Sequence, residues 1–189
     1  MPTLNWIGKE KIVSHHNDVP FCVIDKKYTF NGDKSENMII HGDNLYALKS
    51  LLPKYEGKID CVFIDPPYNT GTKEGKWLYS DNVDDPRIKK WLGEAVGGEG
   101  DDLSRHDKWL CMMYPRLRLI QKLMSTNGVL FITLDDNEEV YCKNLCYEIF
   151  GYQNVDMMIW RKSGVGRDGK MKNTTTFRKD HEYVIICYK

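Results

Sequence analysis

Runs of apolar residues alternate with segments of helical periodicity along most of the chain. Mostly apolar runs lie at Met38–Ile40, Ile59–Ile64 and Val129–Leu134, in which Asp60 and Thr133 are the polar members. Such runs are typical of parallel strands that are buried on both faces. Two later runs, Met157–Trp160 and Tyr183–Tyr188, predict further strands joined by a long polar loop. These segments therefore predict one sheet with other elements packed against it.

Helical patterns fill the intervals between these strands. Asp43 suits the N-cap of the first helix. A later helix is predicted over residues 137–149, where Asp136 and Glu139 have the spacing of a capping box. The apolar positions that repeat with helical spacing in the first helix are Leu45, Leu48, Leu51 and Leu52.

The longest helix is predicted from about Arg105 to Met124. Pro115 lies inside it and predicts a kink or a break, because proline lacks the backbone N–H that a helix interior needs. The pair Asn127-Gly128 is a suitable stop signal at its end. The apolar positions with helical spacing are Leu110, Met113, Leu117, Ile120 and Met124.

Alternating strands and helices predict an α/β fold, with a three-layer, mostly parallel sheet flanked by helices. Ligands of such sheets bind beyond the carboxyl ends of the strands. Three acidic residues occupy these positions, Asp43, Asp65 and Asp135. Each could serve only as a helix cap, but three at one predicted edge favour a ligand site there.

Composition restricts the class of protein more than its function. The chain has 189 residues, and its 27 Lys and Arg balance its 27 Asp and Glu, so net charge does not predict a nucleic-acid binder. It has no apolar run of transmembrane length and no signal-peptide core at the N-terminus. Six cysteines without zinc-site spacing, including Cys142 and Cys146 on one predicted helix face, indicate core thiols in a reducing cytoplasm.

The stretch Cys61–Gly71 carries the strongest chemical signal, because a strand ends in Asp65-Pro66-Pro67-Tyr68. Proline has no N–H and a fixed φ, so we expect both proline carbonyls to remain as rigid, free acceptors. With the Asp65 carboxylate and the Tyr68 ring they suit an amino group on a flat ring, such as a nucleobase flipped out of a duplex. A plain turn after a strand remains an equal alternative from these residues.

Asp65-Pro66-Pro67-Tyr68 resembles the D-P-P-Y motif of amino-methylating DNA methyltransferases. The segments "HGDNLYALKSLLPKYEGKIDCVFIDPPYNTG", "HDKWLCMMYPRLRLIQKLM" and "NGVLFITLDDNE" resemble the modification subunits of type III restriction systems, over residues 36–189. The resemblance implies a Rossmann-like fold and transfer of a methyl group from S-adenosylmethionine to adenine N6. It implies that Asp65 and the Pro66 carbonyl hold the amino group beside Pro67, and that Tyr68 stacks on the adenine. Asp43 matches the position that contacts the adenine moiety of the cofactor, and Asp65 is the second candidate for cofactor binding.

The family's glycine-rich cofactor loop, Phe-x-Gly-x-Gly, is missing from this sequence. We therefore expect an N-terminal fragment with a partial fold and an incomplete site for S-adenosylmethionine, weakly active or inactive alone.

The expected division is an N-terminal arm over residues 1–36, with an edge strand or an irregular arm at Phe21–Ile24. The catalytic half of the domain follows over 37–160, and the final strand and the start of a target-recognition region over 161–189. The resemblance also implies double-stranded DNA as partner, a restriction subunit, and homodimerisation.

Residues 160–189 contain eight Lys or Arg against three acids, so Arg161 and Lys162 are candidates for phosphate contact, although a solvated loop explains the surplus equally well. Trp77 and Tyr79 are candidates for the wall of a target-base pocket. The run Gly164–Gly169 fits the G-x-G-x-x-G dinucleotide pattern, but no apolar helix follows it, and we interpret it as a loop.

Other functions remain open from the sequence. Asp65 with Glu74 and Lys76 has the order of a metal-dependent nuclease site, but a glycine-rich loop is a poor platform for magnesium ligands. N4-cytosine methylation is an alternative, although an acid before Pro-Pro-Tyr favours adenine by the resemblance. A non-catalytic DNA-binding fragment is another. The acidic run Asp135–Glu139 matches no calcium loop and is better explained by helix capping.

Overall fold

The computed structural model describes residues 3–30, 36–70, 90, 93, 94, 104–162 and 180–189. In chain order the elements are α1 (Lys9–Ile12), α2 (His15–Asp18), α3 (Asn44–Tyr55), β1 (Ile59–Ile64), α4 (Arg105–Leu123), β2 (Met124–Leu134), α5 (Glu139–Phe150), a short 3-10 helix (Tyr152–Asn154), β3 (Val155–Arg161) and β4 (His181–Tyr188). Within the described part of the chain, no helix is long and apolar enough to cross a membrane.

The sheet has the strand order β1-β2-β4-β3. Strands β1 and β2 pair in parallel, whereas β4 pairs antiparallel with both β2 and β3. The α/β class is therefore confirmed, and β1, β2 and β3 run in one direction. The sheet is nevertheless mixed rather than mostly parallel in its pairing, because β4 lies between two strands that run the opposite way.

The predicted strand at Met38–Ile40 is absent, and this expectation was wrong. These residues adopt no regular secondary structure, and Ile39 is 89% exposed. A run of three residues gains too few ladder bonds and too little buried area to form a stable strand by itself. Strand β1 is consequently an edge of the described sheet.

The main core lies between one face of the sheet and the helices α4 and α5. Alternate residues of β2 and β4 point into it and are fully buried, namely Leu130, Ile132, Leu134, Ile185 and Cys187. Cys142 and Cys146 of α5 are buried in the same core, as expected from the sequence, and all six cysteines are free thiols. The described residues thus supply two of the three predicted layers.

The opposite face of the sheet is left uncovered by the described residues. Phe63 of β1 is 65% exposed and Trp160 of β3 is 58% exposed, although both are large and apolar. An open concavity of about 310 Å³ lies on this face, lined by Phe63, Phe131, Thr133, Met158, Trp160, Glu182, Tyr183 and Val184.

Helix α4 begins and ends where local signals and packing place it. A capping box between Ser104 and Asp107 starts it. It continues through Pro115, so the predicted break does not occur, because burial of most of its side chains offsets a lost backbone bond. The predicted stop at Asn127-Gly128 was also wrong: those residues lie in β2, where a Cβ on Gly128 would lie 2.9 Å from the Ile59 carbonyl oxygen.

The N-terminal residues pack against the same helices. Ile12 of α1 is fully buried, and the Trp6 indole N–H lies 3.3 Å from the Cys111 sulfur of α4. Lys49 of α3 donates hydrogen bonds to the carbonyls of His16 and Asn17. The possible edge strand at residues 21–24 is not formed. The division into domains predicted above remains a prediction.

Candidate active site

Asp65 lies at the end of β1, next to the corresponding end of β2. Because the two strands are parallel and in register from Ile64 with Ile132, the next residues, Asp65 and Thr133, are neighbours. The Thr133 hydroxyl donates to Asp65, with 2.6 Å between Thr133 Oγ1 and Asp65 Oδ1. The carboxylate is exposed beyond the strand end but is held by a hydrogen bond in one orientation.

Tyr68 is half-buried and packs against the main core. Burial raises the pKa of its hydroxyl to about 12, the nearby Asp65 charge acts in the same direction, and a hydrogen bond with Thr133 opposes them. The hydroxyl is thus neutral at physiological pH and within hydrogen-bonding distance of both Asp65 and Thr133. Such anchoring at the hydroxyl and at the core fixes the plane of the ring.

The two proline carbonyls differ in their surroundings. The fully buried Trp109 of α4 donates its indole N–H to the Pro67 carbonyl over 2.7 Å, so the expectation that both carbonyls remain free was wrong for Pro67. No hydrogen bond from the described residues reaches the Pro66 carbonyl. The buried tryptophan holds the turn, and Pro66 is the acceptor that remains beside Asp65.

Asn69 ends this turn in the left-handed conformation, with φ of 57°. Asparagine adopts this region more readily than most residues because its short polar side chain forms local hydrogen bonds. Its side chain is 2% exposed, and its amide donates to the carbonyl of Arg105, over 3.1 Å, and to the carboxyl of Glu138. The turn is therefore tied to the beginnings of both α4 and α5.

Asp43 is the N-cap of α3, as predicted: its Oδ1 accepts a hydrogen bond from the Leu45 N–H over 2.8 Å. The same oxygen lies 3.6 Å from the guanidinium of Arg116, and 48% of the Asp43 side chain is exposed. The strand expected just before Asp43 is absent, so the pairing that would have set Asp43 beside Asp65 at one sheet edge is missing.

Asp135 follows β2 and caps the next turn, since its carboxylate accepts from both the backbone and the side-chain N–H of Asn137. The capping box predicted between Asp136 and Glu139 is not formed, because α5 begins at Glu139 and its N-cap is Glu138. Among the described residues, no group of acids, cysteines or histidines is arranged to hold a metal ion.

Arg161 and Lys162 lie at the end of β3. Because β3 runs in the same direction as β1 and β2, this end lies at the same edge of the sheet as Asp65. Arg161 is exposed. The ammonium of Lys162 forms an ion pair with Glu182, which offsets its charge locally. Its backbone N–H separately donates to the Asp180 carbonyl.

Several residues singled out from the sequence lie outside the described residues. These are the candidate base-pocket residues Trp77 and Tyr79, the nuclease-like pair Glu74 and Lys76, and the glycine-containing run 164–169.

The sequence reasoning missed the partners of the turn: Thr133, Trp109, Asn69 and Glu138. Thr133 could have been found from strand register, since it precedes Asp135 by two positions and faces the same way. Asn69 could have been found from its position, because asparagine after a rigid turn favours a positive φ. The role of Trp109 depends on the rotation of α4 against the sheet, for which the local sequence has no signal.

A family model described as DNA methylase, which covers N6 and N4 enzymes, matches residues 59–189. This span includes β1, the Asp65–Tyr68 turn and every later element in the described residues. The chain belongs to the DNA methylase family.

Two curated relatives are type III Mod subunits. The chain is 34% identical to the Mod subunit of the type III restriction-modification enzyme EcoP15I from Escherichia coli over 99% of its own length. It is 36% identical to the EcoPI Mod subunit of Escherichia phage P1, again over 99% of the chain. In both cases the methylase chain spans about 30% of the relative's length.

Among solved structures, the crystal structure of an M1.HpyAVI complex with SAM is similar to this chain, with a TM-score of 0.43 and 16% sequence identity. The match covers 79% of this chain and 52% of the other.

Proposed function

We propose that this chain contains the target-base half of an enzyme that methylates adenine N6 in double-stranded DNA, with S-adenosylmethionine as the methyl donor. The observation that carries the proposal is the Asp65–Tyr68 turn. An exposed carboxylate held by Thr133 lies at the end of a strand, and Trp109 fixes the prolines that follow it. Membership of the DNA methylase family supports the assignment to amino groups of bases.

In this proposal the residues of the turn bind and orient the amino group. Asp65 and the Pro66 carbonyl each accept one of its N–H bonds, which fixes the direction of the nitrogen lone pair. Tyr68 offers a ring of fixed plane for stacking, a contact worth roughly 1–3 kcal/mol per base. Thr133 and Trp109 act on the base only through the turn, by holding the Asp65 carboxylate and the Pro67 carbonyl in place. Most of the rate enhancement from such an arrangement comes from positioning.

When bound, S-adenosylmethionine would supply a methyl group on a sulfonium: the C–S bond would break as the N–C bond forms, the neutral thioether S-adenosylhomocysteine would leave, and the extra proton of the amino nitrogen would pass to water. Asp43 fits a role in holding it, because its carboxylate remains half-exposed although one oxygen caps α3. The sequence contributes no Phe-x-Gly-x-Gly loop. The cofactor site is thus proposed to be incomplete in these residues alone.

For partners, we propose double-stranded DNA, a restriction subunit, and a second copy of the complete protein. Two relatives are named as subunits of restriction-modification enzymes, which supports the first two. Arg161 is proposed to contact a DNA phosphate, which its exposure and its position at the same sheet edge as Asp65 support.

The test is methyl transfer by the longest available form of the protein to unmethylated genomic DNA, followed by nucleoside mass spectrometry. We expect N6-methyladenine, and a loss of about 100-fold or more in Asp65→Asn, which keeps the side-chain shape but weakens an acceptor. Asp156→Asn, on the exposed part of β3, is the matched control and should retain activity. N4-methylcytosine as the product, or full activity of Asp65→Asn, would contradict the proposal.

A second measurement addresses the cofactor site. Calorimetric titration of S-adenosylmethionine into the 189-residue chain should give no measurable binding. Micromolar affinity would overturn the proposal that the site is incomplete.

A further inference from the structure

A buried carboxyl group lies directly behind the Asp65–Tyr68 turn. Glu138, the N-cap residue of α5, has no exposed surface, and its side chain makes no capping bond with its own helix. Its Oε1 accepts from the Asn69 amide and lies 2.8 Å from His106 Nδ1. Glu138 therefore links the turn after β1, the first turn of α4 and the beginning of α5.

The other carboxyl oxygen of Glu138, Oε2, is buried and has no hydrogen-bond partner among the described residues. A buried unsatisfied oxygen costs free energy, and a structure that needed only a helix cap would not place a carboxyl here. Helix capping, the interpretation favoured by the sequence for this acidic run, does not account for Glu138. This free-energy cost is explained if the Glu138 carboxyl orients the Asp65–Tyr68 turn.

The contact with Asn69 is the one through which Glu138 can act on the turn. Asn69 is the residue after Tyr68, and its left-handed backbone sets the direction in which the chain leaves the turn. Its amide has two hydrogens, one given to the Arg105 carbonyl and one to Glu138. The side chain is consequently held at both donors, and rotation of Asn69 would move Tyr68.

We propose that Glu138 is a positioning residue for the methyl transfer: through Asn69 it orients the Asp65-Pro66-Pro67-Tyr68 turn without touching the base or the methyl donor. This inference rests on the proposed function for its catalytic consequence. The hydrogen bond from the Asn69 amide to Glu138, here called the tether, does not rest on the proposed function, because it is a property of the folded chain.

The charges around Glu138 make the tether sensitive to pH. Burial raises the pKa of Glu138 to about 7, the Asp135 charge adds to this, and the Asn69 hydrogen bond and Arg105 oppose it. His106, which stacks on Tyr141, has its pKa lowered by burial and by Arg105, with Asp107 opposing. Around neutral pH, Glu138 thus exchanges between a carboxylate, the stronger acceptor for Asn69, and a carboxylic acid.

The first arm of the test is NMR on the 189-residue chain. The side-chain amide of Asn69 and the indole N–H of Trp109, which bonds Pro67, report on the turn. In wild type both signals should shift with a midpoint near pH 7, and in Glu138→Gln the shift should disappear. Glu139→Gln, the neighbouring carboxyl on the same helix, is the control and should titrate as wild type does. Identical titrations in wild type, Glu138→Gln and Glu139→Gln would contradict the proposal that Glu138 acts on the turn through Asn69.

The second arm measures methyl transfer by the longest available form of the protein. Glu138→Gln should lower kcat about 10-fold or more, since misplacement of reacting groups is costly, and should leave KM for S-adenosylmethionine within about twofold. The acidic limb of the pH–rate profile near pH 7 should be lost as well. Equal losses in Glu138→Gln and Glu138→Ala with an unchanged profile would instead assign Glu138 a merely structural role.

The two arms separate the two proposals. If no form of the protein methylates DNA, the proposed function fails while the NMR titration still decides the tether. If transfer occurs and depends on Asp65 but not on Glu138, the positioning role fails and the function stands.

Discussion

The hydroxyl of Thr133 is bonded to the carboxylate of Asp65, with 2.6 Å between the two oxygens, across the parallel pair β1 and β2. This bond joins the carboxylate that is proposed to accept the target amino group to the neighbouring strand β2. Asp65 itself lies beyond the last paired residue of β1 and would otherwise be free to rotate. The precision of the proposed site therefore depends on a residue of the neighbouring strand.

Replacement of Thr133 by valine tests that dependence. Valine matches the shape of threonine but removes the hydroxyl, so we expect a change in stability of no more than about 1 kcal/mol. Methyl transfer should fall about 10-fold because Asp65 loses its fixed orientation. Thr133→Ser should restore most of the activity, and Thr126→Val, at an exposed position of β2, is the control. Wild-type rates in Thr133→Val would show that the bond is unimportant.

Replacement of Trp109 by phenylalanine tests the hold on Pro67. Phenylalanine replaces the indole with a smaller ring, so the N–H to the Pro67 carbonyl is lost and a cavity is left at a fully buried site. We therefore expect about 2 kcal/mol or more of destabilisation in urea unfolding. Methyl transfer should fall as well. Trp6→Phe removes another indole N–H, the one facing Cys111, and should affect stability without affecting transfer. Equal activity of the two variants would argue against a role for Trp109 in the turn.

The pKa of Glu138 predicts how stability depends on pH. A carboxyl whose pKa rises from 4.5 to about 7 on folding binds more protons in the folded than in the unfolded state between these values. The free energy of unfolding should therefore fall as pH rises through this window, by at most about 1.4 kcal/mol per pH unit. His106, with its lowered pKa, contributes the opposite slope. The slope that Glu138 contributes must therefore be measured as a difference in the free energy of unfolding between wild type and a Glu138 variant.

That difference is the stability of Glu138→Gln minus that of wild type, measured by urea unfolding from pH 5 to pH 8. It should rise with pH up to about 7 and then level off, because glutamine has no proton to lose. Profiles that stay parallel over the whole range would mean that Glu138 does not titrate in the folded chain.

The elements that the sequence predicted well are those whose signals are local. Strand β1 has the predicted bounds, and α4 begins at the predicted residue, because a mostly apolar run and a helical period are readable within one segment. The run at Met38–Ile40 carried the same apolar signal, but it was too short to form a strand. A short apolar run therefore predicts a strand only when a partner is available to pair with it.

The residues of the proposed turn could be singled out from the sequence, whereas the side chains that hold it in place could not. Asp65 and Pro66 stand out from residue types alone. The partners that hold the turn lie 68 residues away in the case of Thr133 and 42 in the case of Trp109. Such contacts are set by strand register and helix rotation, which depend on the whole packed structure. Glu138 was assigned to capping because a buried carboxyl and an exposed cap look alike in sequence.

The place of β4 in the sheet has a consequence for biosynthesis. Strand β3 is made before β4, yet its neighbour in the sheet is β4, which lies between β3 and β2. During translation β3 cannot join the sheet, and side chains such as Trp160 stay exposed, until residues 181–188 leave the ribosome and pair as β4 between β2 and β3. Non-local pairing of this kind slows folding and prolongs exposure to misassembly. A nascent chain stalled before β4 would be a substrate for chaperones.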